Sequence, residues 1–227
     1  MAAKRLSMVS LGPGDAELIT LKGLEALRRS DAIAVPTKSR DRSFDRSLTH
    51  RIVTELMRDH DFVRPIVPVY TPMRFREEDW DHQVEVLRDA AARYGHVSFV
   101  TLGDAGIYST VYYLLDRLRE RDPQLAAHSE VIPGVTSFSQ ASAQIQKPLC
   151  VGHSRLEIVP LVEGELPTTT VYMRPRIGMS TDAIPQRGTL YTFEDLNFAQ
   201  ETITPHKIPR VRRYMTLLID FFMRDAV

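Results

Sequence analysis

The sequence contains a single cysteine, Cys150, so it cannot form an internal disulfide. No group of cysteines and histidines has the spacing of a zinc site, and we expect no resident metal. No apolar run reaches the length of about 18 residues that a membrane span needs. The chain also does not open with a charged segment followed by a short apolar stretch. These absences argue against secretion and membrane insertion and favour a reducing, cytoplasmic setting.

The chain has no excess of either charge. It carries 29 basic and 29 acidic residues, giving a formal net charge of zero. A neutral chain generates no global field that would attract nucleic acid or anionic lipid. We therefore expect neither as a partner, and local basic clusters must be interpreted locally. The 227 residues, 43 % of them hydrophobic, suffice for one large domain or two small ones.

Through the first 147 residues, apolar segments of strand length alternate with amphipathic segments of helix length. This alternation is typical of an α/β domain whose mainly parallel sheet is flanked by helices. Thr20 is a good N-cap for the first helix, with Ile19 and Leu24 placed for a hydrophobic staple. Strands are predicted at 6–11, 32–35, 62–69, 97–102 and 131–132, and further helices around 48–56, 80–91 and 111–118.

After Pro148 the pattern changes to shorter β-like runs. These runs lie at 156–161, 169–173, 190–193 and 214–222. We place a boundary within 147–152, which gives an N-terminal α/β domain at 1–148 and a C-terminal α/β domain with a mixed sheet at 149–227.

Three loops that contain glycine each follow a predicted strand and precede a predicted helix. We name them the first (residues 12–15), second (103–108) and third (133–137) glycine loops. In a parallel sheet such loops lie at the carboxyl edge, where ligands bind near a switch in strand order. One such loop alone is usually an ordinary βα turn, whereas three together indicate a ligand site.

The first glycine loop lacks the features of the common phosphate-binding motifs. Gly12 and Gly14 would need a third glycine at position 17 for a dinucleotide fingerprint, and Glu17 stands there. The chain also lacks the Gly-Lys-Ser/Thr of a P-loop. We therefore expect a ligand without phosphate groups, bound by backbone groups and a few side chains.

The three motifs together resemble those of the tetrapyrrole methylases. That family carries a Gly-Pro-Gly-Asp loop after the first strand, a Gly-Asp-Pro loop in mid-domain, and a Pro-Gly-(Val/Ile)-(Thr/Ser)-(Ser/Ala) loop after it. The corresponding residues here are 12–15, 103–105 and 133–137. Within the family, Tyr108-Ser109-Thr110 and Ser137-Phe138-Ser139 are most similar to the C(20)-methyltransferases that act on precorrin-2 or cobalt-factor II in cobalamin synthesis.

The resemblance implies S-adenosylmethionine as the cofactor, bound in the cleft between two domains. It also implies a tetrapyrrole substrate, and we expect a homodimer. The residues that it implies as cofactor contacts are Pro13, Leu102, Gly103, Asp104, Ile107, Thr136 and Ser137, with Met173 from the second domain.

The sequence departs from the family pattern in two places. Ala105 stands where proline is expected; because proline there would only stiffen the loop, we expect cofactor binding to survive. Family members also place a helix between the strands predicted at 156–161 and 169–173, but only seven residues separate these here. A helix of average size needs about 11 residues, so we predict a physical break in the chain between residues 162 and 168.

Two residues of the second glycine loop are candidates for catalysis. Asp104 either holds a polar group near the transferred methyl or caps the following helix. Tyr108 either packs beside the substrate or is an ordinary aromatic residue at a helix start. Asp15, by contrast, is expected to cap the turn that follows it.

A basic segment follows the second predicted strand and includes Arg40 and Arg42. A tetrapyrrole of this type bears many carboxylates, which arginine binds in bidentate fashion. Arg174 and Arg176 are similar candidates in the second domain. The alternative interpretation is a solvated basic loop. The whole segment comprises Lys38, Arg40, Arg42, Arg46, His50 and Arg51.

The resemblance implies direct methyl transfer to a meso carbon of the macrocycle, with the enzyme holding donor and acceptor in line and excluding water. No metal is needed for the transfer itself. Two alternatives stay open at this stage. One is a methyltransferase of the same superfamily that acts on another precorrin, on RNA ribose or on diphthine. The other is a non-catalytic module that binds a metabolite.

Overall fold

A computed structural model describes the chain over residues 4–45, 47–72, 74, 76–159 and 166–222. The chain divides into two compact units, Met1–Leu156 and Glu157–Val227. Our prediction of a functional domain boundary at 148/149 remains a prediction. No helix in the described residues is both long and apolar enough to cross a bilayer.

The first unit is built on a five-stranded parallel sheet. Its strands follow the order β3-β2-β4-β1-β5, and every neighbouring pair is parallel. This arrangement confirms the mainly parallel sheet expected from the sequence. The bounds are β1 Arg5–Ser10, β2 Ala32–Thr37, β3 Ile66–Tyr70, β4 His96–Thr101 and β5 Ser129–Ile132.

Helices connect these strands. The predicted cap of the first helix is confirmed, because the Thr20 hydroxyl accepts a hydrogen bond of 3.0 Å from the Gly23 amide. A short 3-10 turn at Ala16–Leu18 precedes that helix. The helices are α1 Leu21–Arg29, α2 Leu48–Asp59, α3 Glu77–Tyr94, α4 Val111–Arg121, α5 Pro123–Ala127 and α6 Ser137–Gln144.

Alternate residues of the central strands supply two separate cores, one on each face of the sheet. On one face, Val9 and Val100 pack with α1 and α2. On the other face, Met8 and Phe99 pack with α3, α4 and α5. Burial on both faces explains why these strands read as nearly continuous apolar runs.

The chain leaves β2 and β4 in opposite directions. From β2 it crosses the α2 face towards β3, and from β4 it crosses the α4 face towards β5. Because β2 and β4 are neighbours, the two connections diverge above the crevice between them. This crevice is the topological switch point of the sheet, the place where α/β proteins bind ligands.

The second unit contains a four-stranded sheet in the order β6-β9-β7-β8. All its pairs are antiparallel, so the predicted mixed sheet was wrong for this unit. The connection at 195–201 is too short for a parallel crossover, which takes about a dozen residues. In the described part of this unit, 157–159 and 166–222, no helix is present. The strands are β6 Thr170–Tyr172, β7 Thr189–Glu194, β8 Thr202–Thr204 and β9 Thr216–Phe221.

The segment that joins the two sheets departs from the prediction. Residues 156–159 are exposed and form no strand, although we predicted one at 156–161. An apolar run becomes a strand only where a second strand pairs with it, so the composition of this run alone did not suffice to predict one. Residues 160–165 lie outside the described part of the chain, so the predicted break between 162 and 168 stays a prediction.

Candidate functional site

The three glycine loops meet at one edge of the first sheet. They follow β1, β4 and β5, which are adjacent in the order β4-β1-β5, and all leave the carboxyl ends of their strands. The second loop, which follows β4, borders the switch point. The sequence therefore predicted correctly that these three loops lie at one edge.

The first two loops are bonded to each other through their glycines. The Gly12 amide donates to the Gly103 carbonyl at 3.2 Å, and the Gly103 amide donates back to the Gly12 carbonyl at 2.7 Å. Both glycines have a left-handed backbone conformation, with φ of 77° and 73°. Residues with a Cβ rarely adopt this conformation, so the pairing depends on glycine at both positions.

The two paired glycines have different surroundings. A Cβ placed on Gly12 would lie 2.9 Å from the Leu18 carbonyl oxygen, so that side is packed. A Cβ placed on Gly103 would meet no heavy atom within 4 Å, and the same holds for Gly14. The backbone at Gly103 thus faces open space into which a ligand can approach.

The third loop packs closely against the other two at Gly134. A Cβ there would lie 2.6 Å from the Ser10 Cβ and 2.8 Å from the Gly103 carbonyl oxygen. Beyond it, the Thr136 hydroxyl accepts a hydrogen bond of 3.3 Å from the Ser139 amide and caps α6. Ser137, the first residue of α6, is exposed.

Asp104 joins the second loop to the third. Its Oδ1 accepts hydrogen bonds from the Gly106 amide at 3.1 Å and from the Gly134 amide at 3.4 Å. The alternative that Asp104 caps the following helix was wrong, because α4 begins after Thr110 and has no side-chain cap. Asp15 does cap the turn after it, as expected, by accepting from the Glu17 amide at 2.9 Å.

Apolar side chains stand exposed on the second loop and at Leu102, the residue just before it. Leu102, Ile107 and Tyr108 are 42 %, 38 % and 69 % exposed. Tyr108 also has a left-handed φ of 49°, a conformation that costs energy for a bulky residue. Exposed apolar groups beside strained backbone are typical of a surface that a ligand covers.

Tyr112, in the first turn of α4, is half-exposed and close enough to Asp104 to interact with its charge, and it was missed in the sequence. Its partial burial and then the negative charge of Asp104 raise the pKa of its phenol above the usual value. The phenol therefore stays protonated at neutral pH and can donate a hydrogen bond. Its position four residues after Tyr108 was the only available signal.

Ser10 was also missed. It is the last residue of β1 and is fully buried, and its hydroxyl accepts a hydrogen bond of 2.9 Å from the Ala105 amide. A lone serine at the end of an apolar strand carries no signal of this contact, because its partner is 95 positions away.

The basic segment follows β2, which lies beside β4, so it borders the same sheet edge. Two contacts hold the described part of its loop: the Thr37 hydroxyl donates to the Ser43 carbonyl at 2.6 Å, and the Phe44 ring stacks on the His50 ring of α2 at 4.3 Å. Arg40 and Arg42 are carried on this loop, and the Arg40 Nε donates to the Tyr70 hydroxyl at 3.4 Å. Arg46 lies outside the described residues.

Met173, Arg174 and Arg176 belong to the second unit. They follow β6, and the Met173 side chain is 72 % exposed. Their assignment to the cofactor and substrate remains a prediction. Nowhere in the described residues do three or more His, Cys, Asp or Glu side chains cluster in a way that could hold a metal ion.

Comparison with known proteins places this site in a family context. The chain is 28 % identical over 158 residues to a probable cobalt-precorrin-2 C(20)-methyltransferase of Methanocaldococcus jannaschii, a match that covers 69 % of this chain and 64 % of that protein. It is 31 % identical over 176 residues to a precorrin-2 C(20)-methyltransferase of a Sinorhizobium species, covering 71 % and 67 %. The chain thus spans just under two thirds of the length of the first of these relatives.

The fold also matches solved structures. One is the X-ray structure of a cobalamin biosynthetic enzyme, cobalt precorrin-4 methyltransferase, with a TM-score of 0.51, 16 % identity, and coverage of 95 % of this chain and 94 % of that one. The family model described as Tetrapyrrole (Corrin/Porphyrin) Methylases matches residues 5–185. Since that range includes all three glycine loops and most of the chain, the protein belongs to the tetrapyrrole methylase family.

Proposed function

We propose that this protein transfers a methyl group from S-adenosylmethionine to C-20 of precorrin-2 or of cobalt-factor II. Tetrapyrrole methylases use this methyl donor. The choice of acceptor rests on the C(20)-methyltransferase relatives, which the chain matches at 28 % and 31 % identity. The single observation that carries the proposal is the open backbone at Gly103, at the switch point and beside exposed apolar side chains.

The residues of the glycine loops fit such a donor. It has no phosphate, and the loops offer backbone groups and apolar side chains instead of a phosphate cradle. When bound, it supplies an electrophilic methyl group on a sulfonium centre. The residues that we assign to holding it are Pro13, Leu102, Gly103, Asp104, Ile107, Thr136 and Ser137, with Met173 from the second unit.

Asp104 and Tyr108 are the groups that we assign to the reacting end of the site. The Oδ1 of Asp104 accepts hydrogen bonds from two backbone amides, which fixes the carboxylate relative to the second and third loops. Tyr108 offers an exposed ring against which a flat macrocycle can pack. In the overall reaction a carbon–carbon bond forms, the sulfur–carbon bond breaks, and the meso carbon loses its proton. Positioning and exclusion of water are the chief contributions of the protein.

The acceptor is the part of this proposal that an assay must decide. The shared fold of the cobalt precorrin-4 methyltransferase does not distinguish between acceptors. Incubation with methyl-labelled S-adenosylmethionine and either precorrin-2 or cobalt-factor II should transfer label to C-20 of one of them. Label on another precorrin only would assign a different acceptor, and no transfer to any tetrapyrrole would overturn the proposal.

We further propose that the enzyme is a cytoplasmic homodimer.

Arg40 and Arg42 are proposed to bind substrate carboxylates, together with Arg174 and Arg176. Replacing Arg40 and Arg42 by alanine should weaken tetrapyrrole binding by about 10-fold or more, because each arginine–carboxylate contact contributes roughly 1 kcal/mol or more. Affinity for S-adenosylhomocysteine should stay nearly unchanged. Fluorescence titration with the tetrapyrrole and calorimetry with S-adenosylhomocysteine measure the two affinities.

Arg29→Ala is a suitable control for this pair. Arg29 is exposed at the end of α1, and its guanidinium forms an ion pair with Glu25 within the same helix. Its removal should change neither affinity. Loss of both affinities in the Arg40/Arg42 variant would instead indicate that the loop has a structural role.

A further inference from the structure

We propose that Ser10 is a positioning residue for the second glycine loop, and that its hydroxyl takes over at Ala105 the restraint that a proline would supply. Ser10 lies in β1 and is assigned no role by the motifs of the loops. The inference rests on the proposed function, because the loop that Ser10 holds is the one assigned to the methyl donor.

Residues 104–107 form a β-turn. The Ile107 amide donates to the Asp104 carbonyl at 3.1 Å, which closes the turn. Asp104 occupies the first position, and its side chain accepts from the Gly106 amide, as aspartate often does there. Ala105 occupies the second position, where proline is favoured because the turn does not use that amide. The turn itself is therefore compatible with proline at 105.

With alanine at this position, the amide hydrogen of residue 105 needs a partner. Ala105 is 1 % exposed, and a buried N–H without a hydrogen bond is strongly unfavourable. The Ser10 hydroxyl accepts this hydrogen at 2.9 Å. Ser10 is itself fully buried, so this bond is shielded from competing water.

Ser10 and a proline at 105 would exclude each other. The ring Cδ of proline takes the place of the amide hydrogen, about 1.5 Å from the nitrogen. With only 2.9 Å between that nitrogen and the Ser10 Oγ, the carbon would come far inside the roughly 3.3 Å that a carbon–oxygen contact needs. Alanine at position 10 would not relieve this overlap, because its Cβ lies within about 1.4 Å of the Oγ position and so stays close to the ring carbon, whereas glycine removes both atoms.

This contact bears on the site because Ser10 contacts both neighbouring loops. Its hydroxyl holds the second loop at Ala105, and its Cβ faces Gly134 of the third loop. Loss of the hydroxyl frees the turn that follows Gly103 while the three strands remain paired. The expected consequence is weaker donor binding, with a higher KM for S-adenosylmethionine and a smaller change in kcat.

Five proteins test this proposal: the wild type, Ser10→Ala, Ser10→Gly, Ala105→Pro, and the double variant Ser10→Gly/Ala105→Pro. Calorimetry with S-adenosylhomocysteine should give roughly 10-fold weaker binding for each single variant. The double variant should return to within about 3-fold of the wild type, because proline then supplies the restraint and leaves no unpaired amide.

Ser98→Ala is the matched control. Ser98 is a fully buried serine of β4 whose hydroxyl donates to the Ala26 carbonyl at 3.3 Å, on the α1 side of the sheet. Its removal deletes the same atom from a neighbouring strand without touching the loops. Affinity should change by less than about 2-fold, which separates positioning from general loss of a buried hydroxyl.

The proposal is overturned if Ser10→Ala binds like the wild type or if the effects of Ser10→Gly and Ala105→Pro simply add in the double variant. If a single variant does not fold, hydrogen exchange of the Ala105 amide in the unliganded wild type decides whether the bond to Ser10 exists. Slow exchange supports the bond to Ser10, and fast exchange contradicts it. If the wild type binds no S-adenosylhomocysteine, the proposed function fails; amide exchange and the same cycle measured by urea unfolding then still test the Ser10 contact.

Discussion

Gly103→Val should abolish measurable binding of S-adenosylhomocysteine in a protein that remains folded. The valine side chain would project into the open space beside the backbone at position 103, which we assign to the methyl donor. A branched side chain in a ligand's place typically costs about 1–3 kcal/mol or more, which corresponds to an affinity loss of at least about 10- to 100-fold. Calorimetric titration measures the affinity, and circular dichroism verifies the fold.

Strain is the other effect of this substitution, because position 103 has a left-handed φ. Gly152→Val is matched for that strain: Gly152 has a φ of 57°, and a Cβ there would also meet nothing within 4 Å. It lies outside the glycine loops, so this variant should bind S-adenosylhomocysteine normally. Normal affinity of a folded Gly103→Val protein would remove the second loop from the donor site.

Gly134→Ala should lower both the stability of the first unit and its affinity for S-adenosylhomocysteine. The added methyl would overlap the Ser10 Cβ at 2.6 Å and the Gly103 carbonyl oxygen at 2.8 Å, and neither is the flexible end of a side chain. Relief requires the third loop to move away from the other two, which breaks the bond between Asp104 and the Gly134 amide. Overpacking of this kind lowers the free energy of unfolding by about 1–3 kcal/mol.

Urea unfolding of Gly106→Ala provides the comparison for stability. A Cβ on Gly106 comes no closer than 3.6 Å to another atom, the Oδ2 of Asp104, and the backbone there is not left-handed. Its free energy of unfolding should therefore stay within about 0.5 kcal/mol of the wild type. Equal effects of the two substitutions would show that the three loops are not tightly packed at Gly134.

The features predicted from the sequence were those fixed by local interactions. The Thr20 cap depends on an amide only three residues away, and the helices of the first unit depend on periodic apolar faces. The burial of apolar side chains was predicted more reliably than the ends of the strands that carry them. Phe62 is buried with α1 and α2 as its apolar character suggests, yet it precedes β3, which begins at Ile66.

The features that the sequence did not predict depend on residues far apart. Alternating polarity indicated β6, β7 and β9 but carries no information on strand direction, so the antiparallel sheet was missed. β8 has only three residues, too few for a pattern. At the site, the motifs identified the loops, whereas the role of Asp104 as a bridge to Gly134 depends on contacts between segments 30 positions apart.

The strand order of the first unit determines when a ligand site can exist during synthesis. β1 emerges from the ribosome first, but its neighbours in the sheet are β4 and β5, so the first glycine loop has neither of its partners until most of the unit has been translated. Contacts of such long sequence separation form late, because closure of the intervening chain must precede them. A nascent chain that ends before β5 therefore lacks the third loop, and with the donor site that we propose, the donor cannot help it to fold. Once the third loop has docked, a bound donor stabilises the first unit as a whole.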